Sequence, residues 1–239
     1  MSTFRTLFKG EMRRLVSYKI LPVSLVTTCL WVVLVLLVSR AEALAIAPLL
    51  IFVDITMMLI LLIGAFNHLE KQEGTIKTML VLPVSIKDIL LSKVASSMVL
   101  GFVSAAVMSL SLYIIHGITF NYAVLLLFVF LIGAAHAAIG FFLALRSKDF
   151  GSMLGLMMAY LLPFTLPTLL FAFGAIGREF EWLLMLSPSH SASNLITAAV
   201  SGTYDAAKTI AACAYLALLA AVLLRFAVYP RFKGDAVRR

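Results

Sequence analysis

The chain has 239 residues, of which 63% are hydrophobic and only 13% are charged, with a formal net charge of +8. A soluble domain of this size could not bury so much apolar surface, so the composition excludes a soluble globular protein and indicates that a bilayer serves as solvent. The two cysteines, Cys29 and Cys213, both lie in apolar runs, which argues against a disulfide framework or a cysteine metal cluster.

The first nineteen residues combine an apolar stripe with basic side chains. The stripe recurs at helical spacing and consists of Phe4, Leu7, Phe8, Met12, Leu15 and Val16. This pattern predicts a basic amphipathic helix that lies in the headgroup layer on the inner face of the membrane. The alternative, a solvated basic tail, explains the charges but not the stripe.

Six apolar segments are each long enough to cross a hydrocarbon core of about 30 Å. Their predicted bounds are Ile20–Val38, Leu44–Phe66, Val94–Ile115, Tyr122–Leu145, Met153–Phe173 and Ala207–Val228. The sequence therefore predicts an all-α integral membrane protein with a single transmembrane domain over residues 1–239.

The positions of Lys and Arg predict the orientation, because inner loops of membrane proteins are enriched in both. With the N terminus inside, all but three of the 19 basic residues fall on the inner side, the exceptions being Arg40, Arg178 and Lys208. Both termini and the loop after the second span are therefore predicted to be cytoplasmic. The basic excess is a topology signal, and we do not predict a nucleic-acid partner.

A polar gap at residues 70–93 separates the second and third spans. Gly74 can adopt the left-handed conformation that ends a helix, and Thr75 can cap the next one. Ile76–Leu82 is then predicted to be a short amphipathic helix, ended by Pro83. A short helix held at the membrane surface between two spans is typical of a docking element.

Ser85 and Asp88 form an S-x-x-D capping box that begins the helix of the third span. Residues 70–93 resemble the corresponding segment in the permeases of ABC-2 type transporters. In that family the segment typically reads E-x-x-x-G-T, followed by L-P-V-S and then by a lysine. The matching residues are Glu70, Gly74, Thr75, Leu80, Leu82, Pro83, Val84, Ser85 and Lys93. A second match, which begins with Leu186-Ser187-Pro188, precedes the last span.

The resemblance implies that this chain is the membrane half of an ABC exporter and that the short helix is a coupling helix. In that family a separate ABC subunit binds ATP and Mg²⁺, and we expect no cofactor and no catalytic residue in this chain. Its nearest approach to a phosphate-binding loop, Gly202–Thr209, has Ala207 where the pattern needs glycine. The residues expected to couple to the ATPase are Glu73, Gly74, Thr75, Ile76, Met79, Leu80, Leu82 and Pro83.

The same resemblance implies a second permease, because family members work as dimers. That partner could be the same chain or a paralogue. It also implies a bacterial inner-membrane location within membrane lipid. The apolar lining expected for the pathway suits a hydrophobic or amphipathic substrate, such as a drug, a peptide or a lipid. The short chain most resembles the small permeases associated with drug or bacteriocin export.

Four residues within the spans are candidates for the pathway. Asp54 lies about 18 Å and His136 about 14 Å from the inner boundary at the helical rise of 1.5 Å per residue, so the two could pair. Each either faces the pathway or makes a structural hydrogen bond. Pro163 and Pro167 should kink or break the fifth span, either as a static kink or as a flexible segment of the pathway.

The stretch from Gly174 to Tyr204 is too apolar for an ordinary loop, yet each half is too short to span. It predicts two short helices that dip into the outer leaflet, with Trp182 at the interface. The family resemblance likewise implies a re-entrant helical hairpin here.

Two other classes of protein remain open at this point. An intramembrane enzyme would need clustered catalytic residues in the membrane, and the sequence shows none. An ion-coupled secondary transporter could use Asp54 and His136, but it would typically show repeats and broken helices in both halves.

Overall fold

The computed structural model describes residues 3–80 and 82–237, and its regular elements are all helical. The α-helices are α1 Thr3–Ser17, α2 Ile20–Leu37, α3 Arg40–Val53, α4 Leu59–Gln72, α5 Thr75–Leu80, α6 Ile86–His116, α7 Tyr122–Arg146, α8 Phe150–Tyr160, α9 Leu166–Ala172, α10 Glu181–Leu184, α11 Pro188–Ser201, α12 Ala206–Val222 and α13 Tyr229–Val237. π-Helical turns at Asp54–Met58, Leu161–Thr165 and Leu223–Val228 join consecutive α-helices into longer rods.

Six of the rods in the described chain are long and apolar enough to cross a membrane. They are Ile20–Leu37, Arg40–Gln72, Ile86–His116, Tyr122–Arg146, Phe150–Ala172 and Ala206–Phe232. The predicted all-α architecture with six spans is thereby confirmed. The second and third rods begin before their apolar runs, because Ser39 and Ser85 cap them by accepting backbone N–H groups from Glu42 and Asp88.

The fourth rod, α7, is the centre of the bundle and packs against α4, α6, α11 and α12. Small residues allow this close approach. A Cβ added at Gly140 would meet the backbone of Ile60 on α4 at 3.3 Å, and one at Gly133 would lie 3.5 Å from Met98. In contrast, α2, α12 and the rod of α8 and α9 are largely exposed and present apolar faces outward.

The alternating rods define two ends of the bundle. The basic end holds α1, the loop between α4 and α6, residues 147–149 and α13, whereas the far end holds α10 and α11. Helix α11 begins with Ser187 as its cap and Pro188 in its first turn. It packs against α3, α7 and α12, and α10 is a single turn. Two short helices thus occupy the predicted stretch, while their depth in a membrane stays a prediction.

Only part of the apolar stripe of α1 is exposed, as a helix lying in the headgroup layer would require, and the rest packs against the bundle. Leu15 is buried against the bundle, and Met12 packs beside it, while Phe4 and Val16 are exposed. Lys19, with a φ of 62°, turns the chain from α1 into α2. The helix therefore packs against the start of α6 and also exposes apolar side chains. Its location in the headgroup layer remains a prediction.

Candidate functional site

The loop at the basic end has the predicted local geometry with one difference. Gly74 is left-handed, with a φ of 70°, and ends the preceding helix. Thr75 is the first residue of α5 rather than a cap in front of it, and its hydroxyl lies 3.3 Å from the Tyr18 hydroxyl. Helix α5 ends at Leu80, and the chain bends over residues 82–84, which include Pro83.

Behind this loop lies a cluster of four charged side chains that we call the buried quartet: Glu11 and Arg14 of α1, Glu70 of α4 and Lys93 of α6. The Lys93 ammonium contacts the carboxylates of both Glu70 and Glu11, the latter at 3.1 Å. The Arg14 guanidinium contacts the same two carboxylates, with its Nε 3.1 Å from Glu70. Lys93, Glu11 and Glu70 are 0% exposed, whereas the Arg14 side chain is 24% exposed at the edge of the cluster.

The quartet is electrically balanced, with two acids and two bases. Buried charges persist only when they are paired, because removing an ion from water costs several kcal/mol. Here each acid meets both bases, so α1, α4 and α6 are held in one arrangement. The motif includes Glu70 and Lys93, but sequence reasoning does not identify Glu11 and Arg14 as their partners. The signal was present, since Glu11 is the one acid in α1 and lies one turn before Arg14.

Two further contacts connect α1 to the loop itself. The Tyr18 hydroxyl donates to the Glu73 carboxylate, and the Arg14 guanidinium lies 3.4 Å from the Met79 sulfur. Burial, and secondarily the hydrogen bond to Glu73, raise the pKa of Tyr18 above its usual value, so the phenol remains a donor at neutral pH. Helix α1 and the residue directly after it, Tyr18, thus contact both ends of the segment from Glu73 to Met79.

Met79 is one of the residues expected to contact the ATPase, but in this chain it does not lie on a free surface. It is only 5% exposed and packs with Ile89 and Phe232, because α13 returns to cover this side of α5. Leu82 is 46% exposed and Pro83 is exposed. Glu73 is also exposed, whereas Gly74, Thr75 and Ile76 are half-buried. The side chains of Lys77 and Leu80, together with Val81, lie outside the described residues.

Asp54 is 2% exposed and opens the π-helical turn of the second span. The Thr28 hydroxyl donates to its Oδ2 at 2.6 Å and lies 3.0 Å from the Ser104 hydroxyl. The carboxyl group is therefore held between α2 and α6 by a chain of hydroxyl groups. In the described chain its second oxygen, Oδ1, has no hydrogen-bond partner.

His136 is fully buried, and its Nδ1 lies 2.9 Å from the carbonyl oxygen of Ile132 in the same helix. Among the described residues no hydrogen bond or ion pair joins it to Asp54, and its Nε2 has no partner. The two groups that depth alone allowed to pair therefore bond to different neighbours.

Pro163 lies in the π-helical turn of the fifth span, and Pro167 follows at the start of α9, so the rod changes its helical repeat there and continues. Both prolines line an apolar cavity of about 550 Å³ that extends to α10. Two serines fasten α11 to the turn: the Ser187 hydroxyl donates to the Phe164 carbonyl at 2.8 Å, and the Ser189 hydroxyl lies 2.8 Å from that of Thr165.

These hydrogen bonds give the motif before the last span a structural role. Ser187 and Pro188 begin α11, and the serines of its first turn contact the π-helical turn beside the two prolines. A movement of the fifth span at this turn would therefore displace α11 through these hydrogen bonds.

We call the quartet, together with the contacts of Tyr18 with Glu73 and of Arg14 with Met79, the junction. The fold and this junction define a multi-pass membrane protein in which the loop between two spans is bonded to the N-terminal segment. The model of the ABC-2 family transporter protein family matches residues 38–229. The chain therefore belongs to the ABC-2 transporter family, and it is a membrane-spanning permease of that class. No curated protein matches the chain.

The match includes Glu70 and Lys93 of the quartet but not α1, which supplies Glu11 and Arg14, nor Tyr18, which follows it. The two ends of the motif that carried the resemblance thus form an ion pair in the folded chain. Membership in this family implies, in general, an ABC ATP-binding partner.

We expect Asp54→Asn to leave folding and transport intact, because the amide oxygen can still accept from Thr28. Asp54→Leu should destabilise the chain by about 0.6–2 kcal/mol, the range for a lost interhelical hydrogen bond in a membrane. Ser109→Ala on α6 is the control, since that buried hydroxyl has no partner in the described chain. Thermal unfolding in detergent measures stability. Loss of transport in Asp54→Asn with unchanged stability would instead assign the carboxylate to the pathway.

Proposed function

We propose that this chain is the permease of an exporter that moves a hydrophobic or amphipathic molecule and is energised by ATP hydrolysis on a separate subunit. In this proposal the partner binds ATP and Mg²⁺, and this chain carries neither. The observation that supports it most is the junction at the basic end, where the quartet joins α1 to two spans, and Arg14 and Tyr18 contact the loop that would meet the ATPase.

The exposed part of this loop supplies the docking surface. Glu73, Leu82 and Pro83 are accessible, and Ile76 is half-buried beside them. Met79 lies on the buried side of α5, where it packs the helix onto Ile89 and Phe232. A displacement of the exposed residues by the ATPase would therefore be transmitted through α5 to α6 and α13. It would also reach α1 through the contacts of Tyr18 and Arg14.

The basic end faces the cytoplasm in this proposal, which places both termini there and the chain in a bacterial inner membrane. The 19 basic residues support this orientation by their distribution along the chain. A second permease, identical or similar, would complete the pathway. The exposed apolar faces of α2, α12 and the fifth rod leave room for that subunit and for lipid.

Capture of the tagged chain from its own cells tests this function without knowledge of the substrate. We expect an ATP-binding protein to co-purify and the complex, but not the chain alone, to hydrolyse ATP. In inside-out membrane vesicles the activity should respond to ATP added outside, whereas right-side-out vesicles should be silent. Absence of a co-purifying ATPase would contradict the proposal, and activity in the right-side-out vesicles would reverse the orientation.

A further inference from the structure

A second cavity, of about 690 Å³, lies at the far end between α3, α9 and α11. Its volume is within the range of small-molecule sites. None of the candidate pathway residues Asp54, His136, Pro163 and Pro167 lines it. We call it the far-end cavity.

One wall of the far-end cavity is a polar stripe on α11. His190, Ser193, Asn194 and Thr197 follow one another at intervals of three, one and three residues, which places them on one helical face. Within the described chain these side chains make no hydrogen bond to other protein groups. His190 is the most demanding, because it is 1% exposed and neither ring nitrogen has a partner.

Of the four, only His190 is fully buried, whereas Ser193 and Asn194 are half-buried and Thr197 is exposed. A buried polar group without a partner is costly, so the unpaired His190 ring, beside three further polar side chains on one cavity face, indicates a ligand that supplies the missing bonds. Burial lowers the pKa of His190, so near neutral pH its ring is uncharged and offers one donor and one acceptor. The ring also stands edge-on to Phe171, at a centroid distance of 5.2 Å, which holds it against the cavity wall.

The rest of the lining differs from this stripe in chemistry. Ile46 and Leu49 of α3, with Phe171 and Ile176, give an apolar surface. Arg178 also lines the cavity, is exposed and has no acidic partner in the described residues. The described lining contains no carboxylate. The nearby Glu181 is occupied by Lys208 at 2.6 Å, outside the cavity.

We propose that the far-end cavity binds an amphipathic phosphate ester of the phospholipid type. The phosphate would meet Arg178, whose planar guanidinium suits phosphate oxygens, and the stripe on α11 would bond the ester and hydroxyl oxygens. One alkyl chain would lie on the apolar wall. This binding belongs to the chain itself and does not depend on the proposed export.

Two matched lipids test the assignment on the full chain purified in detergent. Dioctanoyl phosphatidylglycerol and dioctanoylglycerol share their chains, and only the first carries the phosphate. We expect native mass spectrometry to show binding of the phosphate ester, with the neutral lipid weaker by at least about tenfold. Inorganic phosphate at equal concentration should not displace the lipid, because it lacks the alkyl chain. Equal binding of both lipids, or displacement by inorganic phosphate alone, would overturn the proposal.

Substitutions at exposed and half-buried positions locate the binding without threatening the fold. Arg178→Gln should weaken the phosphate ester by about tenfold and leave the neutral lipid unchanged. Asn194→Leu, close in volume, should weaken it by about threefold to tenfold. Glu179→Gln, at the exposed neighbour of Arg178 that does not line the cavity, is the control and should bind at least as well as the parent. Unchanged binding in both Arg178→Gln and Asn194→Leu would exclude this site.

Discussion

Lys93→Met is expected to destabilise the protein by about 3–5 kcal/mol, the range found when one partner of a buried ion pair is removed. The substitution leaves the carboxylates of Glu11 and Glu70 buried with Arg14 as their one remaining base in the quartet. Thermal unfolding of the detergent-purified chain, followed by circular dichroism, measures the change. Because the expected loss is a large part of a typical domain's stability, reduced yield is expected as well.

Two companions make this result specific to the quartet. Lys87→Met removes a lysine from the exposed face of the same helix and should change stability by less than about 0.5 kcal/mol. Lys93→Met combined with Glu70→Gln restores a balanced pair of Glu11 and Arg14, so it should recover part of the loss. If Lys93→Met were as stable as Lys87→Met, the buried quartet would not describe the protein in the membrane.

Leu82→Asp is expected to separate this chain from its proposed ATP-binding partner while the chain itself stays folded. Leu82 is 46% exposed, so an aspartate there is solvated in the isolated chain. In the docked complex it would place an unpaired charge in a contact that excludes water, at a cost of about 2–5 kcal/mol. Affinity should therefore fall by about thirtyfold or more, and ATPase co-purification and transport should be lost.

Comparison with two other aspartates distinguishes docking from folding. Met79→Asp buries the charge inside the chain, against Ile89 and Phe232, and should lower thermal stability itself. Ser17→Asp adds the same carboxylate to an exposed position of α1 at the same end and should bind the partner normally. Normal capture of the ATPase by Leu82→Asp would remove Leu82 from the docking surface.

The junction suggests why α1 and the loop occur together in one chain. Glu11 and Arg14 of α1, with Tyr18 directly after it, contact residues of the segment that runs from α4 to α6: Glu70, Glu73, Met79 and Lys93. Such a balanced network holds the loop in one orientation relative to the spans. In the proposed function, this orientation is what allows movement of the ATPase to reach the membrane helices rather than only the loop.

The sequence by itself determined the features that depend on near neighbours along the chain. The six spans follow from the length of their apolar runs, Gly74 ends a helix because glycine tolerates a positive φ, and Ser85 begins one by bonding a group three residues away. The family-specific loop was recognisable for the same reason, since its motif is a local pattern that reports on turns and caps.

Only the tertiary structure decided what the charged and apolar side chains of that loop contact. Lys93 bonds to carboxylates that are 23 and 82 residues away, so the local motif that marks this lysine could not show that it is buried or which acids it meets. Met79 is covered by α13, and His190 shares a face with three polar residues whose significance appears only when α3 and α9 close the cavity. Periodicity shows which side chains share a face of a helix, but the neighbour that meets that face is set by packing between distant segments.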